Sequence, residues 1–158
     1  MIGEYWAQAR DGDRRALGLF QRHYSFRQYH TGWHPRRTFI GPGEKMVLLT
    51  PGCDALFVWQ YSTIYRSDPQ QGVRCSVFRN EGRVLSYLLI LEACEWAWSK
   101  WPGQRLFTYV NPGKIRSVNP GYCFLKAGWE RCGINKSGEL VVFERTLIPM
   151  PAIPVVSP

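Results

Sequence analysis

No apolar stretch in the sequence approaches the roughly 20 residues that a membrane-spanning helix requires. The longest, residues 84–98, is broken by Glu92 and Glu95. Met1-Ile2-Gly3-Glu4 lacks the basic-then-apolar order of a secretory signal, so a cytoplasmic protein is expected. There is no C-x-x-C pair among the five cysteines (Cys53, Cys75, Cys94, Cys123 and Cys132). An odd count at irregular spacing argues against a disulfide framework and against a structural zinc. Cys75 and Cys94 fall in a predicted strand and a predicted helix, where a thiol is expected to act as a small buried group. No internal repeat is visible. Charged residues make up only 20% of the chain against 45% hydrophobic, which excludes a disordered polymer. The 158 residues suffice for one domain with a proper core.

The charge that is present is one-sided. A formal net charge of +8 implies an anionic partner or substrate. Arg10, Arg14, Arg15, Arg22, Arg27, Arg36 and Arg37 all precede the first long predicted strand. Arginine rather than lysine suits bidentate phosphate contacts. Phe20, Tyr24, Phe26, Tyr29 and Trp33 are interleaved with them, the mixture that unpaired bases favour. Residues 1–40 are therefore a candidate acceptor-binding segment, with Arg22, Arg27, Trp33, Arg36 and Arg37 as candidate nucleic-acid contacts and Trp6 as a second stacking candidate. A solvated basic face over aromatic core residues accounts for the same pattern.

Along the chain, residues 13–23 have apolar groups at helical spacing behind Asp13 as a cap. Residues 45–50 and 55–61 read as a hairpin, and 62–71 as a polar loop. Strand 72–78 leads into helix 84–100, apolar except for a Glu92, Glu95, Ser99 stripe. Strand 105–110 follows, and Asn119-Pro120 caps a short helix reaching about residue 127. Residues 130–132 and 139–145 read as a closing hairpin, and 148–158 as a proline-rich tail. The expected fold is α+β: one domain over 1–147, a central mixed sheet flanked by helices on both faces. Strands 72–78 and 105–110 should be parallel, because a helix joins them. Ligands on such sheets sit at the carboxyl ends of the strands.

That corner carries the motifs. Arg79-Asn80-Glu81-Gly82-Arg83-Val84 lies between a strand and a helix start, where backbone amides can bind diphosphate. Asn119 is followed by Phe124-Leu125-Lys126-Ala127-Gly128-Trp129. This arrangement resembles the GNAT superfamily of N-acyltransferases over roughly the C-terminal two-thirds of the chain. The family's pyrophosphate loop is Q/R-x-x-G-x-G/A; Arg79 and Gly82 match it, and Val84 replaces its last small residue. The family's tyrosine, which protonates the departing thiolate, corresponds to Phe124, with Tyr122 two residues earlier. The resemblance implies acetyl-CoA or a related acyl donor held within residues 72–129. Its contacts would come from Ser76, Val77, Phe78, Arg79, Gly82, Arg83, Val84, Leu85, Ser86, Asn119 and Phe124. An aminoacyl-tRNA donor also fits this fold.

Within the superfamily the chain is similar to phage and prophage members of the Mom type, which modify adenine in DNA. His23-Tyr24-Ser25 beside the arginines, Ser86 at the start of the main helix, and Tyr109-Val110-Asn111-Pro112 carry that likeness. It implies a DNA substrate, host cytoplasm as the location, and a catalytic set of His23, Tyr24, Asn111 and Tyr122. Mom-type proteins associate iron with a His/Tyr/Asp set; here Asn111, a far weaker anionic ligand, stands where the acid would be, so iron stays open as a cofactor and no metal-ligand set is named. His30 and His34 have i, i+4 spacing, but Gly32 and Pro35 interrupt any helix carrying them. His23 titrates near working pH and is the expected base, with a helix-capping role as the alternative. Asp54 is a further base candidate that a turn explains equally well. Two other functions stay open: an acetyltransferase for small molecules or proteins, and a non-catalytic nucleic-acid-binding protein on the same scaffold.

Overall fold

Glu44–Leu49 (β2) is apolar and buried from Met46 onward, and Ala55–Tyr61 (β3) is apolar but for Gln60. Such runs belong to strands covered on both faces. The computed structural model describes residues 2–23, 43–61, 70–114, 121–135 and 137–147. The remaining elements are β1 (Ala7–Ala9), α1 (Arg14–Gln21), β4 (Val73–Asn80), α2 (Ser86–Lys100), β5 (Leu106–Val110), α3 (Tyr122–Lys126), β6 (Glu130–Ile134) and β7 (Val141–Arg145). A 3-10 turn, Pro112–Lys114, follows β5. The seven described strands form one mixed sheet in the order β1-β2-β3-β4-β5-β7-β6. Among them only β4 and β5 run parallel. The expected α+β class, both hairpins and the parallel pair are present; residues 62–69, 115–120 and 148–158 lie outside the described set.

The two faces carry separate cores. Met46, Leu48, Phe57, Trp59, Val73 and Cys75 face α2 and α3, while Val47, Leu49, Leu56, Val58 and Val77 face α1. Strict alternation along β2 and β3 sorts these residues, because successive side chains leave a strand on opposite sides. Helix α1 starts where the Asp13 carboxylate accepts from the amides of Arg15 and Ala16. It buries Ala16, Leu19 and Phe20 at helical spacing against the sheet. Each fully buried large side chain contributes roughly 1.5–3 kcal/mol.

Glu92 differs from its expected place on a polar stripe. It is 3% exposed, and its carboxylate accepts from the amides of Glu4 (2.7 Å), Tyr5 (2.9 Å) and Trp6 (2.7 Å), and from Trp96 Nε1 (3.2 Å). A buried carboxylate is tolerated when donors surround it in this way. The clamp fixes residues 4–6 on α2 and delivers the chain into β1, a three-residue strand too short to show in the sequence pattern. Trp6 follows them inward: it is 2% exposed and donates to the Leu89 carbonyl, so it is core and not a base-stacking surface.

A bulge interrupts β4 at its middle. Trp59 pairs with Cys75 and Val58 with Val77, which leaves Ser76 as an extra residue. The extra residue moves Val77 to the α1 face, although Val73 and Cys75 point to the α2 face. Beyond the bulge β4 stays with β3 as far as Asn80, but its ladder with β5 ends at Cys75 and Thr108. The two parallel strands therefore part after Cys75.

Candidate functional site

The parting of β4 and β5 leaves the main chain of β4 after Cys75 without β5 as a ladder partner, a wedge between the two strands. The Glu81 amide donates to the Asp54 carbonyl at 2.7 Å, so Glu81 and, by alternation, Arg79 face β3. Phe78 and Asn80 consequently present their amides to the side from which β5 has departed. On the near side of the bulge, Thr108 Oγ1 donates to the Cys75 carbonyl at 3.1 Å and closes the last rung.

The loop from β4 to α2 is held from within. Asn80 Nδ2 donates to the Val84 carbonyl (2.7 Å) and to Ser86 Oγ (3.1 Å), and Asn80 Oδ1 accepts from the Gly82 amide (2.9 Å). Gly82 is glycine for a local reason: a Cβ there would strike the Asp54 carboxylate. Asp54 itself accepts from Thr50 Oγ1 at 2.6 Å, the turn role anticipated for it. Helix α2 begins with no side-chain cap. Among the described residues, the amides of Arg83, Val84, Leu85, Ser86 and Tyr87 have no hydrogen-bond partner. Five consecutive open donors at a helix start favour an anion. Arg83 is exposed beside them, and Lys126 Nζ lies 4.3 Å over the Tyr87 ring.

Several sequence-selected residues are used differently. Arg79 Nε donates to Glu81 Oε2 at 2.5 Å, and an Arg79 Nη to the Arg22 carbonyl at 2.7 Å. Arg22 in turn grips both Glu81 oxygens, at 2.7 and 2.9 Å. Two guanidinium groups hold the Glu81 carboxyl down to about 2. The cluster ties the end of α1 to the end of β4, and it occupies the faces with which Arg79 and Arg22 were expected to meet phosphates. The Gly82 amide is likewise spent on Asn80, so the open donors shift to residues 83–87.

The His23 ring reaches beyond its own helix. The imidazole donates to the Phe78 carbonyl, beside the wedge, and burial with the Arg79 charge lowers its pKa to about 4. It is neutral at physiological pH, and at that pKa it is a weaker base than the free imidazole expected from the sequence. Asn111 accepts from the Gly113 amide at 3.0 Å and initiates the turn after β5. Phe124 is 6% exposed and packs against Phe78, Trp129 and Phe143, while Tyr122 is 55% exposed on the outer side of α3. Ser76 Oγ donates to Gln60 Oε1 at 3.2 Å on the α1 face, and Val77 is core. Tyr24, Arg27, Trp33, Arg36, Arg37 and Asn119, together with His30 and His34, lie outside the described residues.

Among the described residues, no group of three or more His, Cys, Asp or Glu side chains could hold a metal ion. No helix among them is long and apolar enough to cross a membrane. No family model matches this chain, and comparison with curated proteins and with solved structures finds no match.

Proposed function

We propose that this protein is an N-acyltransferase of the GNAT type, with acetyl-CoA or a related acyl donor in the wedge between β4 and β5. The observation that carries the reading is the combination of a bulged, splayed parallel pair with five open amides at the start of α2. A parallel β4–β5 pair joined through α2 supports the reading. The diphosphate of the donor would lie on residues 83–87, with Arg83 supplying the side-chain charge. Its thioester would lie along β4, where the Phe78 amide is directed at the carbonyl oxygen that becomes negative during attack. His23, neutral and bonded to the Phe78 carbonyl, would border the thioester from the α1 side.

The acceptor would approach from the α1 face, and the net charge of +8 favours a polyanion. An amine on a DNA base, as in the Mom-type modification, is the acceptor class we favour. The test is nucleoside mass spectrometry of DNA incubated with the protein and acetyl-CoA, or recovered from cells expressing it with its pathway partners. An adenine carrying an added acyl-derived mass supports the reading; an unmodified nucleoside profile from soluble, acetyl-CoA-binding protein removes DNA as the acceptor.

One observation favours a second reading. Arg79 and Arg22 are both engaged by the Glu81 carboxylate, and Phe124 lacks a hydroxyl. A non-catalytic nucleic-acid-binding protein on this scaffold would show salt-sensitive DNA binding and no acetyl-CoA binding.

A further inference from the structure

We propose that the hydroxyl of Tyr109 is the proton-relaying group of the transfer reaction, acting from β5 in place of a tyrosine on α3. The inference rests on the acyltransferase reading and deepens it.

Tyr109 follows Thr108, the last β5 residue paired with β4. Had the ladder continued, its neighbour across the strands would be Ser76, the bulge residue. Tyr109 thus occupies the first open rung of the wedge. Its partner on the other side, Val142 of β7, fixes the backbone there. Its ring meets Phe107 edge-on, with centroids 5.9 Å apart, which restricts the orientation of the phenol.

The hydroxyl is buried, and among the described residues it has no hydrogen-bond partner. A buried hydroxyl in that state forgoes a bond worth about 1 kcal/mol and retains its desolvation cost. Such a group is explained when a ligand completes it. Polar side chains share this face of the sheet with Phe107. Arg74 lies 5.1 Å over the Tyr109 ring, and Ser76 bonds to Gln60 on the same face. The guanidinium offsets negative charge that the phenolic oxygen acquires as its proton departs.

No other tyrosine is so placed among the described residues. Tyr122 points outward, and the residue at the family's position, Phe124, has no proton to give.

In the proposed step the amine nitrogen forms the new C–N bond and the C–S bond breaks. The proton lost by the nitrogen passes to the phenolic oxygen as the phenol's own proton passes to the thiolate sulfur. Tyr109 ends neutral, and the products are an amide and a free thiol.

The experiment compares wild type with Tyr109→Phe, which removes the oxygen and retains the ring. Acetyl-CoA binding is measured by calorimetry, and thiol release is followed with adenine-containing single-stranded DNA present. The expected result is thiol release slowed about 100-fold, with the acetyl-CoA dissociation constant unchanged within about twofold. The variant should also lose the fall in rate at alkaline pH that titration of a phenol imposes. Release within about threefold of wild type overturns the role of Tyr109 and leaves the transferase reading intact. Parallel loss of acetyl-CoA binding assigns Tyr109 to structure and overturns the relay. A wild-type protein that does not bind acetyl-CoA, or that binds it and leaves it intact beside DNA, overturns the transferase reading and the relay with it.

Discussion

Asn80 reaches across the β4–α2 corner to Val84, its Nδ2 donating to the Val84 carbonyl at 2.7 Å. The same side chain bonds Ser86 Oγ and the Gly82 amide, so one residue shapes the whole loop. It fixes the Val84 carbonyl while the Val84 amide remains open. Replacing Asn80 with alanine removes three hydrogen bonds at a half-buried position. The expected cost is about 1–2 kcal/mol, read as a lower urea midpoint, with faster amide exchange over residues 82–86. An unchanged exchange rate there would show that the loop holds its shape without Asn80.

Glu92 is the other side chain on which distant backbone depends. In Glu92→Gln one acceptor oxygen becomes a donor and faces amides already pointing at it. Loss of about 2–3 kcal/mol is expected, together with release of residues 4–6 and fraying of β1. Denaturant titration and proteolysis near the N-terminus both read this out. A stable, protease-resistant variant would contradict the clamp.

Two groups give the protein separable acid sensitivities. His23 falls from its ordinary 6.5 to about 4, so the unfolded chain takes up a proton first as pH drops. Its contribution to stability is full above about pH 6.5 and is lost on the way down to 4, on the order of 2–3 kcal/mol at the limit. Glu81, held at about 2, stabilises above its ordinary value of 4.5 and loses that contribution between there and 2. Because Glu81 is a partly solvated surface residue, solvent screening makes its contribution the smaller. Urea midpoints measured from pH 7 to 3 should flatten between 6.5 and 4 in His23→Gln, and between 4.5 and 3 in Glu81→Gln. Identical slopes in wild type and His23→Gln would show that the imidazole is not desolvated.

The architecture was largely legible in the sequence because its strands and main helix are long and strongly patterned. Residues 55–61 and the end of α2 fall where periodicity puts them. The site was legible as a location but not as a set of contacts. Arg79 and Gly82 stand out by residue type, yet what each does is decided by Glu81, Asn80 and Asp54 through folding. The Ser76 bulge leaves no trace in the pattern, since an extra residue in a strand looks like any other until the partner's register is known. Glu92 gave a signal, a carboxylate within an apolar helix, that is equally the signature of a solvent stripe. Tyr109 could be recognised only by the missing partner of its hydroxyl.

Arg10 and Arg14, exposed at the start of the α1 face, offer a test of the polyanion that needs no knowledge of its sequence. Wild-type affinity for DNA should fall steeply with salt. Reversing both charges should weaken binding and reduce the slope of log affinity against log salt by about 2. Binding that is insensitive to salt would exclude a phosphate-dominated contact at this surface.

Amide chemical shifts of the 15N-labelled protein, followed during titration with acetyl-CoA, test the donor wedge most directly. The account predicts saturable shifts at Phe78 and at residues 83–87, with little change at Glu81 and Gly82, whose amides are already engaged. Absence of shifts at a saturating concentration, or shifts clustered away from the β4–β5 wedge, would contradict it.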